Sequence, residues 1–169
     1  MANSENNGDA VTLQGAFSGH KAFGQIVRAA LARAAQEGWQ TMVWSDASFE
    51  EWPLAERAVC ESLQAWAGSG RQLVMLAHSY SSVLRYQPRF VTWRKTWDHI
   101  VECRVCKTID ASEMPSALWS PHWGMRRLDL VRSTGVADLE PARRLLLKEE
   151  LDECRRQSSP GFSATTLGL

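Results

Sequence analysis

Residues 41 to 79 constrain the fold of this chain more than any other stretch. Two short apolar runs, Thr41–Trp44 and Gln72–Ala77, flank a segment whose apolar residues recur at helical spacing. This pattern predicts a β-α-β unit, in which two parallel strands are joined by a crossover helix. Parallel strands are normally covered on both faces, so we expect an α/β sheet with helices packed against it.

The crossover helix carries signals at both of its ends. Trp52-Pro53 predicts its start, because proline at the first helical position lacks only an N–H that would have no partner there. Gly68-Ser69-Gly70 predicts its end, since glycine readily adopts the left-handed C-cap conformation. Between strand and helix, residues 45–52 are expected to form a capping and solubilising loop, although ligands also bind at this end of parallel strands.

The rest of the chain supplies the flanking elements. We predict a strand at residues 11–17, followed by a helix that Ser18 caps and Gly38 ends. The clearest helical stripe covers residues 83–101, where Pro88 must begin the main helix or divide it in two. The next predicted elements are a strand at 101–109, a loop at 110–123 and strands at 124–131 and 135–139. A last helix is predicted to begin at Pro141 and to end at residues 158–161. The tail at 162–169 is predicted to add an edge strand or to bind a partner.

Length and composition favour one soluble domain. The 169 residues are enough to bury a substantial core, and 19 Lys+Arg against 19 Asp+Glu give a formal net charge of zero. No apolar run approaches the roughly 20 residues that a membrane-spanning helix needs. We therefore expect a disordered N-terminus over residues 1–10, a single α/β domain over 11–169, no membrane association and a cytoplasmic location.

The common catalytic fingerprints do not occur in this sequence. The absence of GxGxxG, GxxxxGK[ST], GxSxG and HExxH argues against the standard dinucleotide, P-loop, serine-hydrolase and zincin chemistries. Cys103 and Cys106 form a CxxC, but it falls in a predicted strand, without the helix N-terminus that activates a redox pair. Zinc would need a second pair of ligands. We predict sheet-packing cysteines, no metal and no cofactor.

Charge is unevenly distributed along the chain. Residues 81–107 have a net charge of +4, from Arg85, Arg89, Arg94, Lys95, Arg104 and Lys107 against Asp98 and Glu102, whereas residues 45–61 have a net charge of −4. Cations interleaved with aromatic residues can hold phosphates and stack bases. These aromatics, however, fall on the predicted core-facing stripe, which includes Tyr86, Phe90, Trp93 and Trp97. The segment is therefore either a nucleic-acid-binding face or a solvated basic face that pairs with the acidic loop of its own or another copy.

A histidine and an aspartate stand seven residues apart in His122-Trp123-Gly124-Met125-Arg126-Arg127-Leu128-Asp129. At this point the chain resembles the phospholipase D superfamily, whose motif is His-x-Lys-x4-Asp. The segments SFEEWPL, PRFVTWRKTWDHI, GMRRLDLVRSTGVAD and TTLGL extend the likeness over residues 11–169. The whole pattern looks most like a bacterial family with a phospholipase D-like half-domain and a degenerate motif.

The resemblance implies a mixed α/β half-domain that pairs with a second half, and therefore a homodimer. It also implies phosphoryl transfer, in which His122 attacks phosphorus or protonates the leaving group. Asp129 would then orient the side chain of His122. Gly124 stands where the motif has lysine, so the electrostatic stabilisation that a cation provides is missing. Arg126 and Arg127 are then candidate anion-binding residues, as are Arg94 and Lys95 on the basic segment.

We therefore expect a non-catalytic binding or interaction module with a pocket for an anion such as phosphate. One alternative is a dimeric phosphodiesterase or nuclease of phospholipase D type, with His122 and Asp129 as its catalytic residues. The other is a nucleic-acid-binding protein that uses the basic 85–107 face. The expected partners are a second copy of the chain and a phosphate-bearing ligand.

Overall fold

A mixed sheet organises the computed structural model, which describes residues 13–163. Its strands are β1 Gly15–Phe17, β2 Thr41–Ser45, β3 Gln72–Ala77, β4 Val101–Val105, β5 Ser116–Trp119, β6 Gly124–Asp129, β7 Thr134–Ala137 and β8 Ser159–Pro160. The helices are α1 His20–Glu37, α2 Arg57–Trp66, α3 Ser81–Tyr86, α4 Pro88–Thr96 and α5 Pro141–Arg156. The strand order across the sheet is β1-β7-β6-β5-β2-β3-β4-β8.

The predicted β-α-β unit lies at the centre of this sheet. β2 and β3 are parallel neighbours, with Thr41 opposite Gln72, and β4 continues the parallel block on the far side of β3. β5, β6, β7 and β1 extend the sheet by antiparallel pairing from the other edge of β2. The prediction of a single-domain α/β protein with a mixed sheet flanked by helices is confirmed.

The two faces of the sheet are covered unequally. The larger core joins one face to helices α1 to α4, and its most deeply buried side chains include Trp44, Trp52, Trp66 and Trp123. The smaller core joins the other face to α5 through Leu147, Leu151 and Cys154. One helix cannot span eight strands, so part of this second face remains open near β6 and β7.

The crossover helix begins four residues later than Trp52-Pro53 predicts. Residues 52–56 form tight turns, in which Leu54 N–H donates to the Trp52 carbonyl at 2.8 Å and Glu56 N–H to the Pro53 carbonyl at 3.3 Å. Glu56 itself has an extended backbone, and α2 starts at Arg57. The side chain of Trp52 is buried against Phe49, so core packing determines this turn.

A strand replaces part of the loop predicted for residues 110–123. β5 covers Ser116–Trp119 and pairs with both β2 and β6. Pro115 and Pro121 suggested a loop, but they lie outside the strand, where a missing N–H costs no ladder hydrogen bond. Ala117 and Leu118 are also both buried, so this strand lacks the alternation of apolar and polar residues that usually identifies a strand in a sequence.

The ends of other helices and strands differ from the predicted ones by a few residues. Gly19, with φ of 98°, precedes α1 in place of the predicted Ser18 cap, whereas Gly38 ends the helix in the left-handed conformation as predicted. Pro88 divides the long helical stripe into α3 and α4. The predicted disordered segment 1–10 and most of the predicted tail lie outside the described residues. Within residues 13–163 no helix is both long and apolar enough to cross a membrane.

Candidate functional site

The structure places His122 and Asp129 at opposite ends of β6. His122 precedes the strand, on an exposed turn beside the amino end of β2, where it borders a groove of about 450 Å³ with Glu37 and Thr41. Asp129 ends the strand and accepts the Arg132 N–H at 3.0 Å within the β6–β7 turn. Seven residues of extended chain span about 23 Å, so these two side chains do not share a site.

Arg126 and Arg127 point to opposite faces of the sheet, as neighbours on a strand must. Arg126 is half-buried on the α5 side and pairs with Glu150, with Nη1 at 2.6 Å from Oε2. Arg127 is 5 % exposed on the other side, where its guanidinium lies 4.2 Å above the ring of Phe23. The four candidate residues of this motif therefore do not converge on one pocket.

Arg127 is the centre of a buried polar network at the carboxyl end of β2. Its Nη2 donates to Asp46 Oδ1 at 3.0 Å, and its Nη1 binds both Glu51 and Ser133 Oγ. The second oxygen of Asp46 accepts the Ser48 and Phe49 N–H groups, at 3.1 and 2.8 Å, so Asp46 caps its own loop. Every charge of this network has a partner, and it leaves no cation free for a ligand.

Among the described residues, no carboxylate of the acidic segment 45–61 forms an ion pair with the basic α3–α4 segment. Besides Asp46 and Glu51, which bind Arg127, Glu56 pairs with Arg28 and Glu61 with Arg57. The hydrogen bond from Arg28 lowers the pKa of the Glu56 carboxyl, so this pair stays ionised at neutral pH. Arg28, Arg57 and Arg127 thus bind four of the five carboxylates of residues 45–61, and none of these four pairs with a cation of α3 or α4.

Helices α3 and α4 form a surface that contains no carboxylate. No Asp or Glu occurs from Ser81 to Trp97. The outward side chains include Arg85, Tyr86, Arg89 and Lys95, and Arg89 Nη1 donates to the Ala55 carbonyl at 3.1 Å. We call this surface, residues 81–96, the α3–α4 face.

Tyr86 departs from the core-facing role that its spacing predicts. It is 57 % exposed, and the guanidinium of Arg85 lies 5.3 Å from the centre of its ring. The reason is the helix break: α3 ends at Tyr86, and Gln87 turns inward to donate to the Phe49 and Trp52 carbonyls. Phe90 and Trp93, one helix later, are buried as predicted.

The other two candidate anion-binding residues on this segment have different surroundings. Arg94 is 4 % exposed, donates to Asp98 at 2.8 Å and to the Phe162 carbonyl at 3.1 Å, and is therefore held inside the fold. Lys95 is exposed on α4. Arg94 also borders a groove of about 620 Å³ along the outer edge of β4, whose other arginines, Arg104 and Arg155, bind Ser158 and Glu102.

A pocket of about 470 Å³ borders the α3–α4 face at the carboxyl ends of β3 and β4. Its lining includes His78, Ser79, Ser81, Leu84 and Lys107. His78 Nδ1 lies 3.2 and 3.1 Å from the carbonyl oxygens of Cys106 and Ile109, which can only accept, so Nδ1 carries a proton. Sequence reasoning missed this pocket, although the polar run after buried β3 is a signal for it.

The CxxC does not form a reactive pair. Cys103 packs in the larger core and Cys106 in the smaller one, on opposite faces of the sheet. Burial raises the pKa of both thiols to about 11. Among residues 13–163, no three His, Cys, Asp or Glu side chains come together as a metal site.

Comparisons with known proteins bear on the fold of this chain. Neither a protein-family profile nor a curated protein matches the sequence. Among solved structures, the chain is similar to TrmBL2, an archaeal chromatin protein whose structure shows a novel mode of DNA binding, with a TM-score of 0.60 and 14 % sequence identity. The similarity covers 90 % of this chain and 55 % of TrmBL2, so the chain corresponds to about half of that protein. At this level of identity, the two proteins are shown to share an α/β fold.

Proposed function

We propose that this chain is a non-catalytic nucleic-acid-binding module that uses the α3–α4 face. The observation that carries the proposal is Tyr86, an aromatic ring exposed beside Arg85 on a helical pair without carboxylates. An exposed ring next to cations is the arrangement with which proteins stack an unpaired base and hold its phosphates. The preferred ligand is accordingly a single strand or an unpaired end.

Each group of the face has a part in this function. Arg85 lies near the end of α3 and Arg89 near the start of α4, so they flank Tyr86 across the helix break and contact successive phosphates electrostatically. Lys107, which has no acidic partner among the described residues, places a further cation at the mouth of the neighbouring pocket. The pocket, with the hydroxyls of Ser79 and Ser81, has room for a phosphate group of the bound strand.

The fold similarity supports the same function. TrmBL2 binds DNA, and about half of its chain has the architecture described above. Globally this chain has no net charge, so its affinity for nucleic acid must come from a local surface. The α3–α4 face supplies such a surface, because residues 81–96 contain no carboxylate and the ion-paired carboxylates of residues 45–61 bind other arginines.

Fluorescence anisotropy with a labelled single-stranded oligonucleotide of about 20 nucleotides tests the proposal. We expect Tyr86→Ala to weaken binding by about 1–3 kcal/mol, or roughly 5- to 150-fold, because a stacking platform is lost. Tyr86→Phe keeps the ring and should bind like the wild type. Equal affinity of wild type and Tyr86→Ala, or no binding at low salt, would refute the proposal.

A matched pair of arginine variants tests the electrostatic part. Arg85→Ala/Arg89→Ala removes two cations from the face, whereas Arg132→Ala/Arg156→Ala removes two exposed cations from the β6–β7 turn and from α5. Only the first pair should weaken binding, since phosphate contacts depend on position as well as on total charge. The same loss in both pairs would mean that binding reflects overall charge and that the face has no special role.

The phospholipase D-like half-domain stays a prediction that no comparison tests. Its catalytic form needs a histidine and an aspartate in one site, whereas His122 and Asp129 lie at opposite ends of β6. The geometry therefore favours binding over diester hydrolysis. Hydrolysis of bis-p-nitrophenyl phosphate that disappears in His122→Ala would restore the catalytic alternative.

A further inference from the structure

An apolar patch lies beside α5, on the sheet face that this helix covers only in part. Leu128 of β6 is 67 % exposed, and Leu146 of α5 is 64 % exposed. Both line one groove between the helix and the sheet. Exposed large apolar side chains that lie together in this way mark contact surfaces.

A groove of about 210 Å³ separates α5 from β6 and β7 within this patch. It is lined by Arg126, Leu128, Val136, Leu139, Arg143, Leu146, Leu147 and Glu150. The helix side of the groove is a single stripe, since Arg143, Leu146, Leu147 and Glu150 recur at three- and four-residue steps. We call these four residues the α5 stripe.

The α5 stripe is complementary to itself. Read along the helix, it places a cation first, exposed Leu146 and core-facing Leu147 in the middle, and an anion last. When two such helices pack antiparallel about a two-fold axis beside Leu146, Arg143 of each copy faces Glu150 of the other. Self-complementarity of this kind is what a two-fold interface requires.

The existing contacts leave room for this pairing. Arg143 has no carboxylate within ion-pair distance among the described residues, and Glu150, whose two oxygens both accept from Arg126, has further lone pairs for a second cation. A second α5 would cover the open part of the sheet next to β6 and bury Leu128 and Leu146. We infer that the α5 stripe and Leu128 form a homodimer interface with a second copy of this chain.

The interface and the proposed nucleic-acid surface lie on opposite sides of the sheet. α3 and α4 pack in the larger core and α5 in the smaller one. The dimer therefore leaves both α3–α4 faces accessible, and two linked faces raise the avidity for a long strand. The dimer does not depend on nucleic-acid binding, so either inference can fail alone.

Sedimentation velocity over about 1 to about 100 μM protein tests the dimer. We expect a concentration-dependent dimer for the wild type and a monomer for Leu146→Glu, whose buried charge would have no partner. Leu84→Glu is the matched control, because Leu84 is 53 % exposed on α3, away from the patch. A monomeric wild type, or equal association of Leu146→Glu and the wild type, would overturn the inference.

A charge exchange tests the antiparallel geometry itself. Arg143→Glu alone and Glu150→Arg alone place like charges opposite each other twice per dimer, so each should associate at least tenfold more weakly. Mixed together, the two variants restore both opposite-charge contacts and should form a heterodimer. Folding of each variant is checked by circular dichroism, and folded variants that fail to associate when mixed would contradict the proposed axis.

Discussion

Arg126 and Arg127 show how adjacent residues of one motif can have unrelated roles. The sequence makes both of them candidate anion-binding residues, because alternation along a strand puts them on opposite faces but does not tell which face carries a site. Arg127 is buried with Asp46, which is 81 positions away in the chain, whereas Arg126 meets Glu150 at the surface. The partners of a buried charge come from the tertiary fold, and a single sequence does not reveal them.

We predict a large difference in stability between the two arginine truncations. Arg127→Ala leaves Asp46 buried without its cation and should lower the free energy of unfolding by about 3–5 kcal/mol. Arg126→Ala breaks a half-exposed pair and should cost about 1 kcal/mol or less. Urea denaturation of both variants measures the difference, and equal losses would show that the Arg127 network does not stabilise the fold.

Cys103 and Cys106 should make the protein sensitive to alkaline pH. Burial raises the pKa of each thiol from an ordinary value of 9.0 to about 11, so the folded state holds these protons more tightly than the unfolded state. Their contribution to stability is complete below pH 9 and is lost as the pH rises to about 11.

The measurement is the free energy of unfolding across that pH window. It should fall more steeply for the wild type than for Cys103→Ala/Cys106→Ala, whose other titrating groups are the same. The slopes are compared, since the alanines also leave small cavities. Parallel slopes would mean that the two thiols ionise as easily in the folded protein as in the unfolded chain.

At the scale of elements, the apolar runs and the glycine and proline signals explain what sequence could predict. β2 and β3 are buried on both faces, so their residues form continuous apolar runs. The start of α2 and the existence of β5 depend on contacts from distant parts of the chain, which local patterns do not contain. Tyr86 was misplaced for a related reason, because the helical period is interrupted at Gln87.

Gly135 lies in β7 close to the backbone of β6, and this close approach allows a stability prediction. A Cβ there would lie 2.2 Å from the Arg126 carbonyl oxygen and 2.8 Å from Arg127 Cα, and backbone atoms cannot move aside cheaply. Gly135→Ala should therefore lower the free energy of unfolding by about 1–3 kcal/mol or more. Gly68, where a Cβ meets nothing within 4 Å, supplies the control.

The control variant should behave in the opposite way. Gly68→Ala restricts the unfolded chain without a clash in the fold, so its effect should lie between neutral and about 1 kcal/mol of stabilisation. Thermal unfolding followed by tryptophan fluorescence compares the two variants. A Gly135→Ala protein as stable as Gly68→Ala would mean that β7 can shift away from β6.

At the scale of the whole molecule, charge separation links the fold to the proposed function. The chain is neutral overall, yet residues 81–96 contain no carboxylate, and arginines from α1, α2 and β6 bind four of the five carboxylates of residues 45–61. The opposite side of the sheet carries the apolar patch of α5. One domain thus presents two different surfaces, one suited to a polyanion and one suited to a copy of itself.

The salt dependence of oligonucleotide binding tests the central claim most directly. Because each neutralised phosphate releases counterions, log Kobs should fall linearly with log salt, with a slope of about −0.7 for each contacted phosphate of a single strand. If Arg85 and Arg89 each contact one phosphate, the slope for Arg85→Ala/Arg89→Ala should be shallower by about 1.4. A wild-type affinity that does not change with salt, or identical slopes for the two proteins, would contradict the assignment of nucleic-acid binding to the α3–α4 face.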